Sequence, residues 1–217
     1  MRVCTESVIL GAYTHCPTAH RILDVGCGTG ILSLMMAQKT NGIIEAIDIC
    51  ELACKDADYN FRNSNWNERL QLKHISFQEY IINCNHKYDC IISNPPYIKK
   101  SLLPKSDIKC NALHENNLSL FELFHGVSLL LNTSGMFFTI LPFSRKEEAL
   151  EIGFSNNLFL IDELNIRTTI HKSFQKVCLT FSKNNTQKII SNERNIMNEN
   201  NYSEDYITLT KDFYLKF

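Results

Sequence analysis

The chain has no Cys-x-x-Cys pair, no apolar run near the ~18 residues of a membrane helix, no excess of either charge and no internal repeat. Each absence excludes something. The nine cysteines, at 4, 16, 27, 50, 54, 84, 90, 110 and 178, have no His-rich partner spacing, which argues against a zinc or other metal site. Their odd count, with no export signal, points to most of them being reduced and buried as small apolar residues. The N-terminus lacks the charged, apolar and cleavage regions of a signal peptide, so a cytoplasmic location with no membrane contact is expected. Net charge is −1, from 22 basic and 23 acidic residues. A strongly basic balance would point to nucleic acid; here any RNA partner must meet locally clustered positive charge. The 217 residues, 44% of them hydrophobic, suit one large domain spanning 1–217.

Strand and helix signals alternate along the chain. Short β-branched or apolar runs occur at Arg21–Val25, Ile43–Asp48, Leu70–His74, Tyr88–Ser93 and Met136–Leu141. Helical spacing occurs at Ile31–Lys39, Glu51–Asn63, Leu118–Leu131 and Lys146–Phe154. Phe159–Ile166 and Val177–Phe181 read as a late strand pair. The pattern predicts an α/β, Rossmann-like fold: a mostly parallel sheet with helices on both faces. The polar stretch over 183–205 reads as a mobile insertion, and Tyr206–Phe217 as a closing edge strand.

Two motifs carry chemistry. Asp24-Val25-Gly26-Cys27-Gly28-Thr29-Gly30 follows the first strand and opens a helix. Glycines there permit a tight turn and close approach of a ligand to the backbone. The spacing is GxGxG, with Ile31 where the dinucleotide fingerprint needs its last glycine, so NAD is disfavoured. Asp48, at the end of the second strand, can accept hydrogen bonds from both hydroxyls of a ribose. The second motif is Asn94-Pro95-Pro96-Tyr97, directly after the strand Tyr88–Ser93. Asn94 and the Pro95 carbonyl offer two acceptors for the two N–H groups of a planar amine. Pro96 restricts Pro95 to extended geometry, and Tyr97 offers a face on which a base can stack.

Together these motifs resemble the class I methyltransferases that use S-adenosylmethionine, whose fold is a seven-stranded sheet with a C-terminal antiparallel strand pair. The resemblance implies that Asp24, Gly26, Gly28, Gly30 and Asp48 hold the cofactor. It also implies that Asn94, Pro95, Pro96 and Tyr97 are catalytic and that Asn94 borders the cofactor. Many members place an Asp after the third strand to read the adenine; Ser76 stands there in this chain, with Phe77 beside it. The opening Met1–Tyr13 is similar to the first helix of the bacterial tRNA1(Val) adenine-N6-methyltransferases, which adds Thr5 to the cofactor set. Ser64-Asn65-Trp66, Ala112-Leu113-His114, Ile140-Leu141-Pro142 and the ending Leu209–Phe217 match the same family. Its members methylate N6 of adenosine 37, which implies a tRNA partner, here for a monomer or weak dimer. Members usually carry a further N-terminal segment before the Met-Arg-Val start, and Leu113 stands where arginine is common.

Lys99, Lys100, Lys105, Lys109, Arg145 and Lys146 are candidate phosphate contacts; Trp66 and His114 read as packing residues. Two alternatives stay open. One is another Asn-Pro-Pro-Tyr enzyme acting on a release-factor glutamine, DNA adenine or ribosomal RNA guanine. The other is a catalytically silent RNA-binding partner with the same fold.

Overall fold

The computed structural model describes residues 4–96, 118–185, 188–199 and 201–214. Chain order begins with α1 (Thr5–Tyr13), β1 (Arg21–Val25), α2 (Ile31–Lys39), β2 (Ile43–Asp48) and α3 (Glu51–Arg62). It continues with β3 (Leu70–His74), α4 (Phe77–Asn83), β4 (Tyr88–Ser93), α5 (Leu120–Leu130), β5 (Leu131–Pro142) and α6 (Lys146–Ser155). The last elements are β6 (Phe159–Arg167), β7 (Lys176–Ser182), β8 (Ile190–Asn195), a ribbon of β9 (Met197–Asn198) and β10 (Asn201–Tyr202), and α7 (Glu204–Thr210).

The main sheet has the order β3-β2-β1-β4-β5-β7-β6-β8. Strands β1 to β5 are parallel, while β7 runs antiparallel to both β5 and β6. From β1 the chain winds outward through β2 to β3, then crosses back to β4 on the other side of β1. That reversal is the switch point at which open α/β sheets bind ligands, beyond the carboxyl ends of the strands.

Alternation along the strands builds two cores. Ile22, Ile44, Ile92 and Phe138 face Leu10 of α1, Met36 of α2, Phe61 of α3 and Tyr206 of α7. Leu23, Ile47, Ile91 and Phe137 face Phe77 of α4, Phe124 of α5 and Ala149 of α6. With both faces covered, the central strands are continuous apolar runs rather than alternating ones. Helix α1 is fixed at its end by Lys39, whose ammonium donates to the carbonyls of Gly11 and Ala12, both at 2.9 Å, and to that of Thr14. A cation there satisfies the orphan carbonyls and the negative end of the helix dipole.

Two expectations are corrected. The main sheet has eight strands, because Ile190–Asn195, inside the stretch expected to be a mobile insertion, pairs with β6 as β8. It is an edge strand, so it needs no apolar face, and its polar composition hid it. The segment after Ser203 is the helix α7 rather than a strand: the Ser203 hydroxyl accepts from the Tyr206 amide as an N-cap, and the core-facing residues Tyr206 and Thr210 lie four apart. Among the described residues seven cysteines are free thiols, and of these Cys16, Cys27, Cys54, Cys90 and Cys178 are buried.

Candidate active site

The loop after β1 and the segment after β4 are adjacent because β1 and β4 pair directly, Asp24 opposite Ile92. The Ser93 hydroxyl donates to the Val25 carbonyl at 2.9 Å and ties the two strand ends together. Gly26, Gly28 and Gly30 all have positive φ. At Gly30, φ is +81° and a Cβ would collide with the Phe61 ring, so this turn admits no side chain. The loop turns back on β2: the amides of Gly26 and Cys27 donate to the Ile47 carbonyl at 2.9 and 3.0 Å. From the other side, the Asn60 amide supports it through the Thr29 carbonyl at 2.9 Å.

Asp48 closes this loop. One carboxylate oxygen accepts from the Gly28 amide and the other from the Cys50 amide, both at 2.8 Å. A carboxylate has about four acceptor positions, so ribose hydroxyls can still bind to it. Asp24 is fully buried beneath the loop; Oδ2 accepts from the Ser33 hydroxyl at 2.6 Å, and Oδ1 has no hydrogen-bond partner among the described residues. Burial pushes its carboxyl up to about 7, against the lowering effect of the Ser33 bonds. An unpartnered buried oxygen leaves Asp24 able to accept a further hydrogen bond.

At the end of β4, Asn94 is half-buried, Pro95 buried and Pro96 exposed. The Asn94 amide nitrogen donates to the Ser7 hydroxyl of α1 at 2.9 Å. Ser7 is buried, and the bond spans 87 residues of sequence. It sets which end of the Asn94 amide faces α1. Ser7 carries no motif signal; only its place in the similar opening segment marks it. Ser33 and Asn60 were likewise missed, since their partners come from the fold.

Ser76 follows the end of β3 beside Asp48, whose carbonyl accepts from the Ile75 amide at 3.0 Å. Ser76 is the N-cap of α4: its hydroxyl accepts from the Glu79 amide at 3.1 Å, and the Glu79 carboxylate reaches back to it. Phe77, expected against the cofactor adenine, is only 5% exposed and packs in the core under Gly126 of α5. Thr5 opens α1 and lines a cavity on the side of α1 toward β6. Arg145 is held bidentate by Glu148 at 2.7 and 2.6 Å, and Lys146 pairs with Glu163 at 2.6 Å, so these cations are matched by carboxylates. Trp66 packs against the core. Tyr97, Lys99, Lys100, Lys105, Lys109, Leu113 and His114 lie outside the described residues. The described residues include no metal-binding cluster and no helix long and apolar enough to cross a membrane.

A parallel sheet with this switch point and a GxGxG loop over an acidic β2 end define a class I methyltransferase. The methyltransferase small domain model matches residues 7–116. A structure of a predicted O-methyltransferase from Agrobacterium tumefaciens superposes with a TM-score of 0.73 at 13% identity, covering 95% of this chain and 96% of that one. Curated proteins of Christiangramia forsetii and Haemophilus influenzae, both named tRNA1(Val) (adenine(37)-N6)-methyltransferase, are each 34% identical over all of this chain and over 92% and 93% of their own lengths. The chain belongs to the tRNA1(Val) (adenine(37)-N6)-methyltransferase family.

Proposed function

We propose that this chain methylates N6 of an adenosine in tRNA, at position 37 of tRNA1(Val), with S-adenosylmethionine as donor. The observation that carries the reading is the placement of Asn94 and Pro95 beside the glycine loop, with the Asn94 amide nitrogen held by Ser7. A tRNA substrate places the reaction in the cytoplasm.

S-adenosylmethionine, when bound, supplies a methyl group on cationic sulfur, and the residues present fit it. The Gly26–Gly30 backbone admits close approach, Asp48 receives ribose hydroxyls, and the orphan oxygen of Asp24 suits its ammonium group. The chain's own work is on the amine. An exocyclic adenine nitrogen is a weak nucleophile, because its lone pair is delocalised into the ring. The Asn94 amide oxygen and the Pro95 carbonyl grip its two N–H groups, favour a pyramidal nitrogen and aim the lone pair. Alignment of this kind is the main contribution an enzyme can make here. No strong base is needed, since the attacked centre is cationic and the proton leaves afterwards.

Ser7 enters as a positioning residue. Ser7→Ala removes the bond that orients the Asn94 amide. Turnover should fall roughly 5-fold, the order expected when a net hydrogen bond of about 1 kcal/mol is lost, with cofactor affinity unchanged. Ser7→Thr, which keeps the hydroxyl, should recover most of the rate. Equal rates for Ser7→Ala and wild type at saturating RNA would remove Ser7 from this role.

Asp48→Ala should weaken S-adenosylmethionine binding by about 10–150-fold, since hydrogen bonds to a charged group contribute ~1.5–3 kcal/mol. Part of that loss comes through the loop, because Asp48 also holds the Gly28 amide. Calorimetry on the folded variant reads it, and unchanged affinity would show that Asp48 does not hold the ribose. The reaction itself is tested by incubating the protein and labelled cofactor with total RNA and mapping the modified nucleoside. N6-methyladenosine at position 37 is expected; label in guanosine, or no label in RNA but label in parallel incubations with a release factor or DNA, would transfer the assignment to the alternative substrates.

A further inference from the structure

A cavity of about 410 Å3 opens between the start of α1, the β6–β7 end of the sheet and the β9–β10 ribbon. Its volume falls within the ~300–1,000 Å3 of small-molecule sites. None of the glycine-loop residues, nor Asp48 or Asn94, lines it. Ile9, Ile166 and Ile196 make its apolar surface, and Met197 and Tyr202, cross-strand partners in the ribbon, stand side by side along it. The wall is anchored: the Met197 amide donates to the Thr168 carbonyl at 2.7 Å, and the Ser203 amide to the Ile196 carbonyl at 3.0 Å. The Tyr202 ring, half-exposed, is stacked on the buried Tyr206 ring at 5.2 Å and 24°, which fixes the plane it presents.

Charge narrows the occupant. Lys176 lines the cavity but is paired with Glu6 at 3.1 Å, so the lining is close to neutral and suits an uncharged aromatic ring better than a phosphate. Gln175 adds an amide that can donate and accept. Apolar walls, an immobilised aromatic face and an amide are the means by which proteins hold splayed-out bases of single-stranded RNA.

Position narrows it further. Ser7, two residues from the cavity-lining Thr5, touches Asn94, so α1 contributes to both the cavity and the amine-gripping site. The cavity's far wall is built on β6, three strands from β4 in the sheet order. At ~4.8 Å per strand that is about 14 Å, too far for a base whose amine lies against Asn94. We infer that the cavity is a second nucleobase seat, which takes an unpaired neighbour of the acceptor adenosine in the same RNA loop and so selects the substrate. The inference rests on the RNA reading above.

The experiment measures binding of anticodon stem-loop RNA by fluorescence anisotropy, with each unpaired nucleotide made abasic in turn. Wild type should lose roughly 5–150-fold at one position flanking the acceptor, the range for stacking one base on an aromatic ring. Tyr202→Ala should bind intact RNA weaker by a similar factor and lose nothing more when that same nucleotide is abasic. Tyr202→Phe should restore both affinity and position dependence. Met197→Trp, which fills the cavity from the same wall, should abolish the dependence as Tyr202→Ala does. The seat is overturned if Tyr202→Ala binds as tightly as wild type, or if abasic positions affect wild type and variant alike. Methylation is scored separately on the same RNAs. Position-dependent binding without methylation would overturn the reaction and leave the seat; methylation without position dependence would do the reverse.

Discussion

Asn94→Ala should lower turnover by about 10²–10³ while leaving S-adenosylmethionine affinity nearly unchanged. The magnitude is that of removing one preorganised polar group that acts in the transition state. The side chain lies at the carboxyl end of β4, and its amide is held from behind by Ser7 at 2.9 Å. Its substitution therefore leaves the Asp48–Gly28 closure of the cofactor loop intact. Asn94→Asp is the informative partner. It keeps an acceptor oxygen but loses the N–H that Ser7 receives, so it should retain more activity than Ala and less than wild type. Single-turnover kinetics with saturating RNA separate this from weakened RNA binding. Near-normal turnover of Asn94→Ala would sink the amine-gripping role and, with it, the mechanism.

The central fold was legible in the sequence because parallel strands buried on both faces leave a strong local record. Ile22-Leu23 and Ile91-Ile92 are continuous apolar runs that stop at the glycine loop and at the Asn94-Pro95-Pro96 turn. Both motifs lie within a few residues of chain, so spacing alone exposes them. The outer parts failed for different reasons. β8 is an edge strand with mostly exposed residues, and its Ser191-Asn192-Glu193-Arg194 sequence has the composition of a loop. In α4 the signal was present but assigned elsewhere: Ser76-Phe77-Gln78-Glu79 is a capping box. The Ser76 hydroxyl caps its own helix and the Phe77 ring packs under Gly126. Ser7 was illegible because nothing local ties it to Asn94; only the crossing of α1 over the sheet brings them together. The cavity beside α1 was illegible for the same reason, since its lining comes from α1, β6, β7 and the ribbon.

Glu45→Ala should destabilise the protein by about 1.5–3 kcal/mol, the range for losing hydrogen bonds to a charged group, since its cationic partners Lys73 and Arg21 are nearly half exposed and stay solvated. Glu45 lies in β2, three residues before Asp48, and its side chain is 4% exposed. One oxygen accepts from Lys73 and from the Tyr80 hydroxyl, both at 2.8 Å. The other contacts His86 at 2.8 Å and Arg21 at 3.5 Å. The Tyr80 and Tyr88 hydroxyls are bonded to each other, and the His86 ring nitrogen also contacts the Tyr88 hydroxyl at 3.0 Å. One carboxylate thus joins β1, β2, β3, α4 and β4, the elements that carry the cofactor side of the site. Burial alone would raise its pKa, but the hydrogen bonds from Lys73, Tyr80 and His86 outweigh burial and hold it down to about 2, from an ordinary 4.5. A carboxyl depressed in the folded state stabilises it above the unfolded pKa. The contribution is therefore complete above about pH 4.5 and is lost as pH falls toward about 2. Denaturant titrations at pH 7 should show the full loss for Glu45→Ala. Glu45→Gln should be destabilised too, because a neutral amide no longer offers Lys73 a charged acceptor. The gap between wild type and Glu45→Gln should narrow as the acid limb is descended. A Glu45→Ala variant within about 1 kcal/mol of wild type, the range of an exposed pair, would show that the cluster behaves as solvated surface charge and does not brace the strands beneath the cofactor loop.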